Sequence, residues 1–174
     1  MRVIRLVAVT ALVGMAAAIG YLAAPGPVSA APGGLTAQDY ADIQQLYWRY
    51  NQGADFGDAE LYVSVFVDDA VVRSSDGQEH VGKNAIRQFV SRSQARRPAG
   101  DTGRRHWNSS WRITPMAEGA QGRSYWLMLD VSSGQPTNYR SGYYEDEYVK
   151  TSDGWLISNR TIVGDDRPGA PSVR

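Results

Sequence analysis

The chain has no cysteine among its 174 residues and only two histidines, His80 and His106. The absence of cysteine excludes disulfide bonds, thiolate nucleophiles and cysteine metal sites. The two histidines are too far apart in sequence for the spacing of a common zinc motif, and no glycine-rich phosphate loop is present. We therefore expect no metal and no cofactor, and we expect the core alone to stabilise the fold.

The chain also has no excess of charge of either sign, because it contains 18 basic and 18 acidic residues. A nucleic-acid partner needs a clustered cationic surface, which this balance does not provide. Arg92, Arg96, Arg97, Arg104 and Arg105 form one local basic stretch. We interpret this stretch as a solvated rim, or as a lid that attracts acidic ligands.

The N-terminus has the pattern of a secretory signal peptide. Arg2 and Arg5 precede an almost uncharged apolar run over residues 6–24, and residues 28–30 (Val-Ser-Ala) offer a cleavage site after Ala30. An uncut anchor is the alternative, because the run approaches membrane-spanning length. Cleavage predicts an exported protein, periplasmic or extracellular, that meets the membrane only before processing. The remaining chain would carry 16 basic and 18 acidic residues.

Helical patterns dominate the first half of the remaining chain. Thr36 can cap a helix in which Leu35 is placed for a hydrophobic staple, and this helix is expected to end near Gly53. Apolar residues recur at helical spacing in it: Tyr40, Ile43, Leu46, Tyr47 and Tyr50. Asp58 can cap a shorter helix that buries Leu61, Val65 and Phe66. A third helix is expected after Gly82, with Ile86, Phe89 and Val90 facing inward.

Strand patterns dominate the second half. Four antiparallel strands are predicted at residues 105–116, 122–132, 142–151 and 155–164, after two short strands at 70–73 and 79–81. Helices followed by a meander indicate an α+β domain with the helices on one face of the sheet. We assign residues 1–30 to the signal, 31–34 to a linker, 35–166 to the domain and 167–174 to a flexible tail.

This order of elements resembles the SnoaL-like branch of the nuclear transport factor 2 superfamily. The segments that carry the resemblance are ADFGD at 54–58, FVDDA at 66–70, GKNAI at 82–86, HWN at 106–108, GYYED at 142–146 and DGW at 153–155. The resemblance implies a cone-like, curved mixed or antiparallel sheet whose concave face, packed by N-terminal helices, encloses one pocket. It also implies a homodimer, but it fixes no reaction, because this fold hosts cyclases, dehydratases, isomerases and non-catalytic subunits.

The resemblance to scytalone and bile-acid dehydratases implies a catalytic trio of Tyr50, Asp55 and His106. A histidine beside a carboxylate is the usual acid/base pair near neutral pH. In one fungal branch a tyrosine directly precedes the aspartate, where this chain has Ala54. Asp130 lies about two residues out of register with an aspartate of the bile-acid branch. A second pocket histidine from the closing strands is also missing, and these departures weaken a dehydratase assignment.

Other residues complete the expected pocket. Asn108 shares the His106 face by strand alternation, as a pocket hydrogen bonder or a strand-pairing residue. The expected ligand-binding residues are Asn108, Trp126, Asp130 and Tyr144. We interpret His80 as a surface residue, and we expect Arg160 to form a salt bridge with Glu145 or Glu147 rather than to hold a ligand.

Three functions remain open at this point. The first is a cofactor-independent lyase, isomerase or cyclase that acts on a small apolar or polycyclic compound. The second is a non-catalytic carrier of a lipophilic ligand, which export favours. The third is a structural dimerisation domain. Convergence of Tyr50, Asp55 and His106 in one pocket would favour the first.

Overall fold

The computed structural model describes residues 34–97 and 103–166. The predicted signal at 1–30, most of the predicted linker and the predicted tail at 167–174 lie outside the described residues. Within the described ranges, no helix combines the length and the apolar composition needed to cross a bilayer.

Three helices precede or interrupt the first strands: α1 (Ala37–Phe56), α2 (Ala59–Val63) and α3 (Gly82–Ala95). Thr36 and Asp39 form a reciprocal capping box at the start of α1. Asp58 caps α2 by accepting a hydrogen bond from the Leu61 amide at 2.9 Å. The expected end of α1 near Gly53 is wrong. The helix continues to Phe56, and Gly57, with φ 81°, ends it.

Gly53 is a packing position rather than a helix stop. A Cβ atom built there would lie 2.5 Å from the backbone nitrogen of Tyr62. The missing side chain therefore lets α2 approach the last turns of α1 closely. The buried side of α2 is carried by Tyr62 and Val63, whereas Leu61, which we expected to be buried, is half-exposed.

Six strands form one mixed sheet: β1 (Phe66–Arg73), β2 (Glu79–Val81), β3 (Arg104–Pro115), β4 (Ala120–Asp130), β5 (Thr137–Thr151) and β6 (Gly154–Gly164). Their spatial order is β2-β1-β6-β5-β4-β3. The predicted four-strand antiparallel meander is present as β3 to β6, and β1 pairs with β6 in parallel. The sheet is curved and open, and it has the cone form expected of an α+β nuclear transport factor 2-like fold.

Successive side chains along each strand point alternately to the concave face, which the helices cover, and to the open face. On β5, Tyr144, Asp146 and Tyr148 are buried, whereas Glu145 and Glu147 between them are exposed. The core lies between the concave face and the helices. Its fully buried side chains include Ile43, Leu46, Tyr47, Phe66, Val72, Ile86 and Ile157.

Asp39 ties the start of α1 to the last hairpin. Its carboxylate accepts hydrogen bonds from Lys150 Nζ at 2.7 Å and from Trp155 Nε1 at 2.8 Å. The Lys150 ammonium, with the Thr36 and Trp155 donors, holds the pKa of Asp39 well below its usual range. Helix and hairpin are therefore fixed to each other by a carboxylate that stays ionised at neutral pH.

Two expectations about single residues are wrong. His80 is 6% exposed rather than a surface residue, and its ring stacks on Phe89 with centroids 4.3 Å apart. Arg160 pairs with Asp146 through two hydrogen bonds of 2.7 Å, and both side chains are fully buried. Asp146 is the partner because strand alternation points it inward, whereas Glu145 and Glu147 lie on the open face.

Candidate functional site

Asp55 and His106 form a direct pair between the last turn of α1 and the start of β3. His106 Nδ1 lies 2.5 Å from Asp55 Oδ1, and the His106 backbone amide donates to Asp55 Oδ2 at 2.9 Å. Both side chains are largely buried, with 11% of the histidine and 6% of the aspartate exposed. Because both oxygens of the Asp55 carboxylate bind His106, the orientation of the imidazole is fixed and Nε2 remains available to other partners.

His106 lines a cavity of about 190 Å³ between the helices and the concave face of the sheet. Asp55 is not part of the lining; it supports His106 from the side. The aromatic and apolar lining residues are Tyr50, Tyr62, Phe89, Val90, Trp126, Met128, Tyr139, Tyr144 and Ile162. A histidine held by a carboxylate in a mostly apolar cavity is suited to proton transfer to or from a bound molecule.

Tyr50 lies in the same cavity wall and not in direct contact with the Asp55–His106 pair. Its hydroxyl accepts a hydrogen bond from the Tyr62 hydroxyl at 2.7 Å, and the two rings lie 4.2 Å apart. Burial raises the pKa of Tyr50, and the nearby Arg160 cation opposes this effect only in part. Tyr50 therefore stays protonated and can act as a hydrogen-bond donor to a ligand.

Trp126 and Tyr144, which we predicted as ligand-binding residues, both line the cavity. Their rings stack at a centroid distance of 6.0 Å and an interplanar angle of 27°. Gly142 provides the room for this stack, because an added Cβ would lie 2.6 Å from Trp126 Cζ2. The buried Trp126 Nε1 has no hydrogen-bond partner among the described residues.

Asn108 and Asp130 do not line the cavity. The Asn108 side chain is hydrogen-bonded to Asn51 of α1 and donates to the Tyr125 carbonyl at 3.3 Å. Asp130 ends β4, where its Oδ1 accepts from the backbone amide of Ser132 at 2.9 Å. The structure thus brings Tyr50, His106, Trp126 and Tyr144 together around the cavity, supports His106 by Asp55, and places Asn108 and Asp130 elsewhere.

A second, wider groove of about 420 Å³ has none of the predicted site residues in its lining. It lies on the open face of the sheet, where exposed side chains such as Arg123 and Glu145 pair with each other. Residues that neutralise one another at the surface do not form an enclosed reaction site. We therefore place the candidate site in the smaller cavity around His106.

The comparison with protein families agrees with this fold and cavity. The model of the SnoaL-like domain matches residues 35–161, which is most of the chain. The chain belongs to the SnoaL-like family. No curated protein matches the chain.

Several solved structures have the same fold as this chain. A Nostoc punctiforme protein of unknown function with a cystatin-like fold is 24% identical over 78% of this chain and 98% of its own, with a TM-score of 0.67. Aln2 from Streptomyces is 22% identical over 76% and 94%, with a TM-score of 0.68. A Catenulispora acidiphila protein, solved in complex with S-DNPA, is 27% identical over 76% and 97%, with a TM-score of 0.66.

The SnoaL-like cavity also contains residues that the sequence analysis did not assign to it. Arg104 shares the face of His106 by alternation, which is a signal that could have placed it. Arg140 shares the face of Tyr144 by the same alternation, and it was missed because the predicted strand began at residue 142 whereas β5 begins at Thr137. Tyr62, the partner of Tyr50, was missed because the pattern of α2 was interpreted with Leu61 inward.

Proposed function

We propose that this chain is an exported SnoaL-like protein that uses His106 as a general acid/base in a cofactor-free dehydration, isomerisation or cyclisation. The observation that carries the proposal is the 2.5 Å contact between His106 Nδ1 and Asp55 Oδ1 beside the cavity. Export rests on the signal-like pattern of residues 1–30. N-terminal sequencing of secreted protein checks it, and a chain beginning at Ala31 is expected.

The proposed chemistry is a proton transfer at His106 Nε2. Asp55 accepts a hydrogen bond from Nδ1–H, so Nε2 carries the lone pair that removes a proton from the bound molecule. The resulting imidazolium is stabilised by the adjacent carboxylate and returns the proton at another position. The protonated Tyr50 hydroxyl donates to the oxygen on which negative charge develops.

The proposed ligand is a compact aromatic or polycyclic carbonyl compound. The stacked rings of Trp126 and Tyr144 offer flat apolar surfaces, and Met128 and Ile162 add aliphatic contacts. The cavity volume of about 190 Å³ is below the roughly 300–1,000 Å³ typical of drug-sized ligands, so one or two fused rings suit it. The S-DNPA complex of the Catenulispora protein supports a small-molecule ligand.

The test uses 1-tetralone, a two-ring ketone, and measures exchange of its α-protons in D₂O by NMR. General acid/base catalysis typically contributes 10²–10⁴-fold, so His106→Asn should slow protein-catalysed exchange by about 100-fold or more. Asp55→Asn should also slow exchange, because it frees the imidazole to turn. His80→Asn is the matched control, since it makes the same change in a buried histidine outside the cavity lining and should keep the wild-type rate.

A carrier without catalysis is the second candidate. One observation favours it: no aspartate or glutamate of the described residues lines the cavity, so His106 has no second titrating acid to work with. In a carrier, His106→Asn changes only ligand affinity, by about 1 kcal/mol for one lost hydrogen bond. The protein would be assigned to this class if His106→Asn catalysed α-proton exchange at the wild-type rate. The same would hold if the wild type exchanged the protons no faster than solvent alone.

A further inference from the structure

All charged side chains that line the cavity are cationic or become so on protonation. Arg97, Arg104 and Arg140 lie in its wall together with His106, and no carboxylate of the described residues joins them. Arginines in a cleft with low-dielectric walls create a positive potential that concentrates anions. A wall with this set of charges favours a ligand that carries negative charge.

Arg104 is held in place by Tyr139, while Asp130 on the paired strand acts on it only through its charge. Its guanidinium carbon lies 4.2 Å from the centroid of the Tyr139 ring, and Nη2 donates to the Tyr139 hydroxyl at 3.2 Å. Within residues 34–97 and 103–166, no carboxylate forms a salt bridge with it. A guanidinium that is stacked on an aromatic ring keeps its remaining N–H groups for an anion.

Arg140 is only partly neutralised. Its Nη2 donates to Asp166 Oδ1 at 2.8 Å, whereas its buried Nε has no hydrogen-bond partner among the described residues. A buried N–H without a partner costs free energy, and a ligand oxygen would remove that cost. Because Asp166 offsets part of the positive charge, a monoanion suits the wall better than a dianion.

The rest of the wall suits an aromatic body. Trp126 and Tyr144 present stacked rings, and Trp126, which is 4% exposed, has a second buried N–H without a partner among the residues described. Arg140 and Trp126 therefore each place a buried N–H without a partner among the described residues in this wall. A molecule with acceptor oxygens at its edge and a flat ring system would satisfy both.

We infer that the cavity binds a small aromatic carboxylate, with the acid group at Arg104 and Arg140 and the ring system against Trp126 and Tyr144. This inference rests on the proposed small-molecule function and narrows its ligand to the carboxylate class. It does not depend on whether His106 is catalytic.

Calorimetric titration of the purified chain with 2-naphthoate and with 2-naphthalenemethanol tests the inference, because the two probes share a ring system and differ in charge. Charge-assisted hydrogen bonds are about twice as strong as neutral ones, so 2-naphthoate should bind about tenfold or more tightly. The difference should shrink as salt is added, since the arginines are partly solvated.

Variants assign the charge to the two arginines. Arg104→Gln and Arg140→Gln should each weaken 2-naphthoate binding by about tenfold and leave binding of the alcohol unchanged. Arg123→Gln is the matched control, because this arginine lies on the open face, and it should alter neither affinity. Asp166→Asn removes the carboxylate paired with Arg140 and should keep or strengthen 2-naphthoate binding.

Equal affinity for both probes would overturn the carboxylate inference and leave the proposed small-molecule function standing. Equal weakening of both probes by Arg104→Gln and Arg140→Gln would do the same. Binding of neither probe by the wild type would overturn the inference and the proposed aromatic ligand together. Selective binding of 2-naphthoate would uphold the inference. If His106→Asn also catalysed proton exchange at the wild-type rate, only the catalytic assignment would be refuted.

Discussion

Arg160 and Asp146 form a fully buried ion pair directly beneath the cavity wall. Arg160 lies over the rings of Tyr47, Tyr50 and Tyr144, with its guanidinium carbon 4.2 to 4.9 Å from their centroids. The Tyr47 hydroxyl donates to Asp146 Oδ2 at 2.5 Å. The pair therefore sets the position of Tyr50 and Tyr144, which are the residues that line the cavity above it.

Removing one partner of this pair should cost more than removing both. Arg160→Met leaves the Asp146 carboxylate buried without its cation, and the free energy of unfolding should fall by about 3–5 kcal/mol. The double variant Arg160→Met/Asp146→Leu leaves no buried charge and should be the more stable of the two. Urea unfolding measures both values. A double variant less stable than Arg160→Met would contradict this account.

His80 should make stability depend on pH below about 6.5, where most carboxylates are still ionised. Burial against Phe89 lowers the pKa of His80, helped by the nearby Arg92 cation and opposed by Asp76. Because the folded state binds the proton less tightly than the unfolded state, stability is full above the unfolded value of about 6.5. It falls as the pH drops from there toward the lowered folded value.

The variant His80→Phe keeps a stacked ring and removes this titration. The difference in unfolding free energy between wild type and variant should change between pH 7 and pH 5, by at most about 1.4 kcal/mol per pH unit for one proton. Urea unfolding at several pH values measures the slope. A difference that stays constant over this range would show that His80 does not titrate differently in the folded state.

Alanine substitutions at two turn glycines would distinguish the cost of backbone strain from the cost of a steric clash. Gly57 ends α1 with φ 81°, and an added Cβ would meet no atom within 4 Å. Gly119, in the β3–β4 turn, has φ 86°, and its added Cβ would lie 2.1 Å from the Tyr148 carbonyl oxygen. Gly57→Ala should cost about 1–2 kcal/mol of strain. Gly119→Ala should cost a further 1–3 kcal/mol or so, because β5 must move. Similar urea midpoints for the two variants would contradict the collision.

The strands could be predicted from the sequence, because alternation, aromatic residues and turn signals such as Asp153-Gly154 agree along the second half of the chain. The end of α1 could not be predicted, because a glycine commonly ends a helix. Gly53 instead lies within the helix and allows the close approach of Tyr62. This difference keeps Asp55 inside the helix, where its carboxylate still faces His106.

The candidate site was predictable only where family resemblance or alternation applied. The pairing of Asp55 with His106 was expected from the resemblance, and its catalytic role remains a prediction. Arg140 lies in the first part of β5, which begins at Thr137, and the sequence pattern assigned no strand before residue 142. Asp130 falls at a strand end, where a turn uses its carboxylate. The exact ends of β4 and β5 decide these two positions, and the sequence pattern did not define those ends.

At the scale of the whole molecule, the open face of the sheet combines an aromatic cluster with charges of both signs. The cluster comprises Trp107, Tyr125, Leu127, Tyr143 and Val163, which pairing and alternation place side by side. Trp107 is 63% exposed and Tyr125 47%. Contiguous exposed apolar groups mark interaction surfaces, and paired arginines and glutamates beside them allow the face to meet its own copy about a two-fold axis.

We propose a homodimer formed through this open face. Tyr125→Glu places a like charge from each copy in the proposed interface and removes an aromatic contact, so the dimer dissociation constant should rise by about 30-fold or more, as for a typical hot-spot residue. Trp48→Glu is the matched control, because Trp48 is 46% exposed on α1, away from the open face, and it should leave the dimer intact. Sedimentation velocity measures both. A monomeric wild type at micromolar concentration would refute the dimer, whereas equal weakening by Trp48→Glu would move the interface to the helical side.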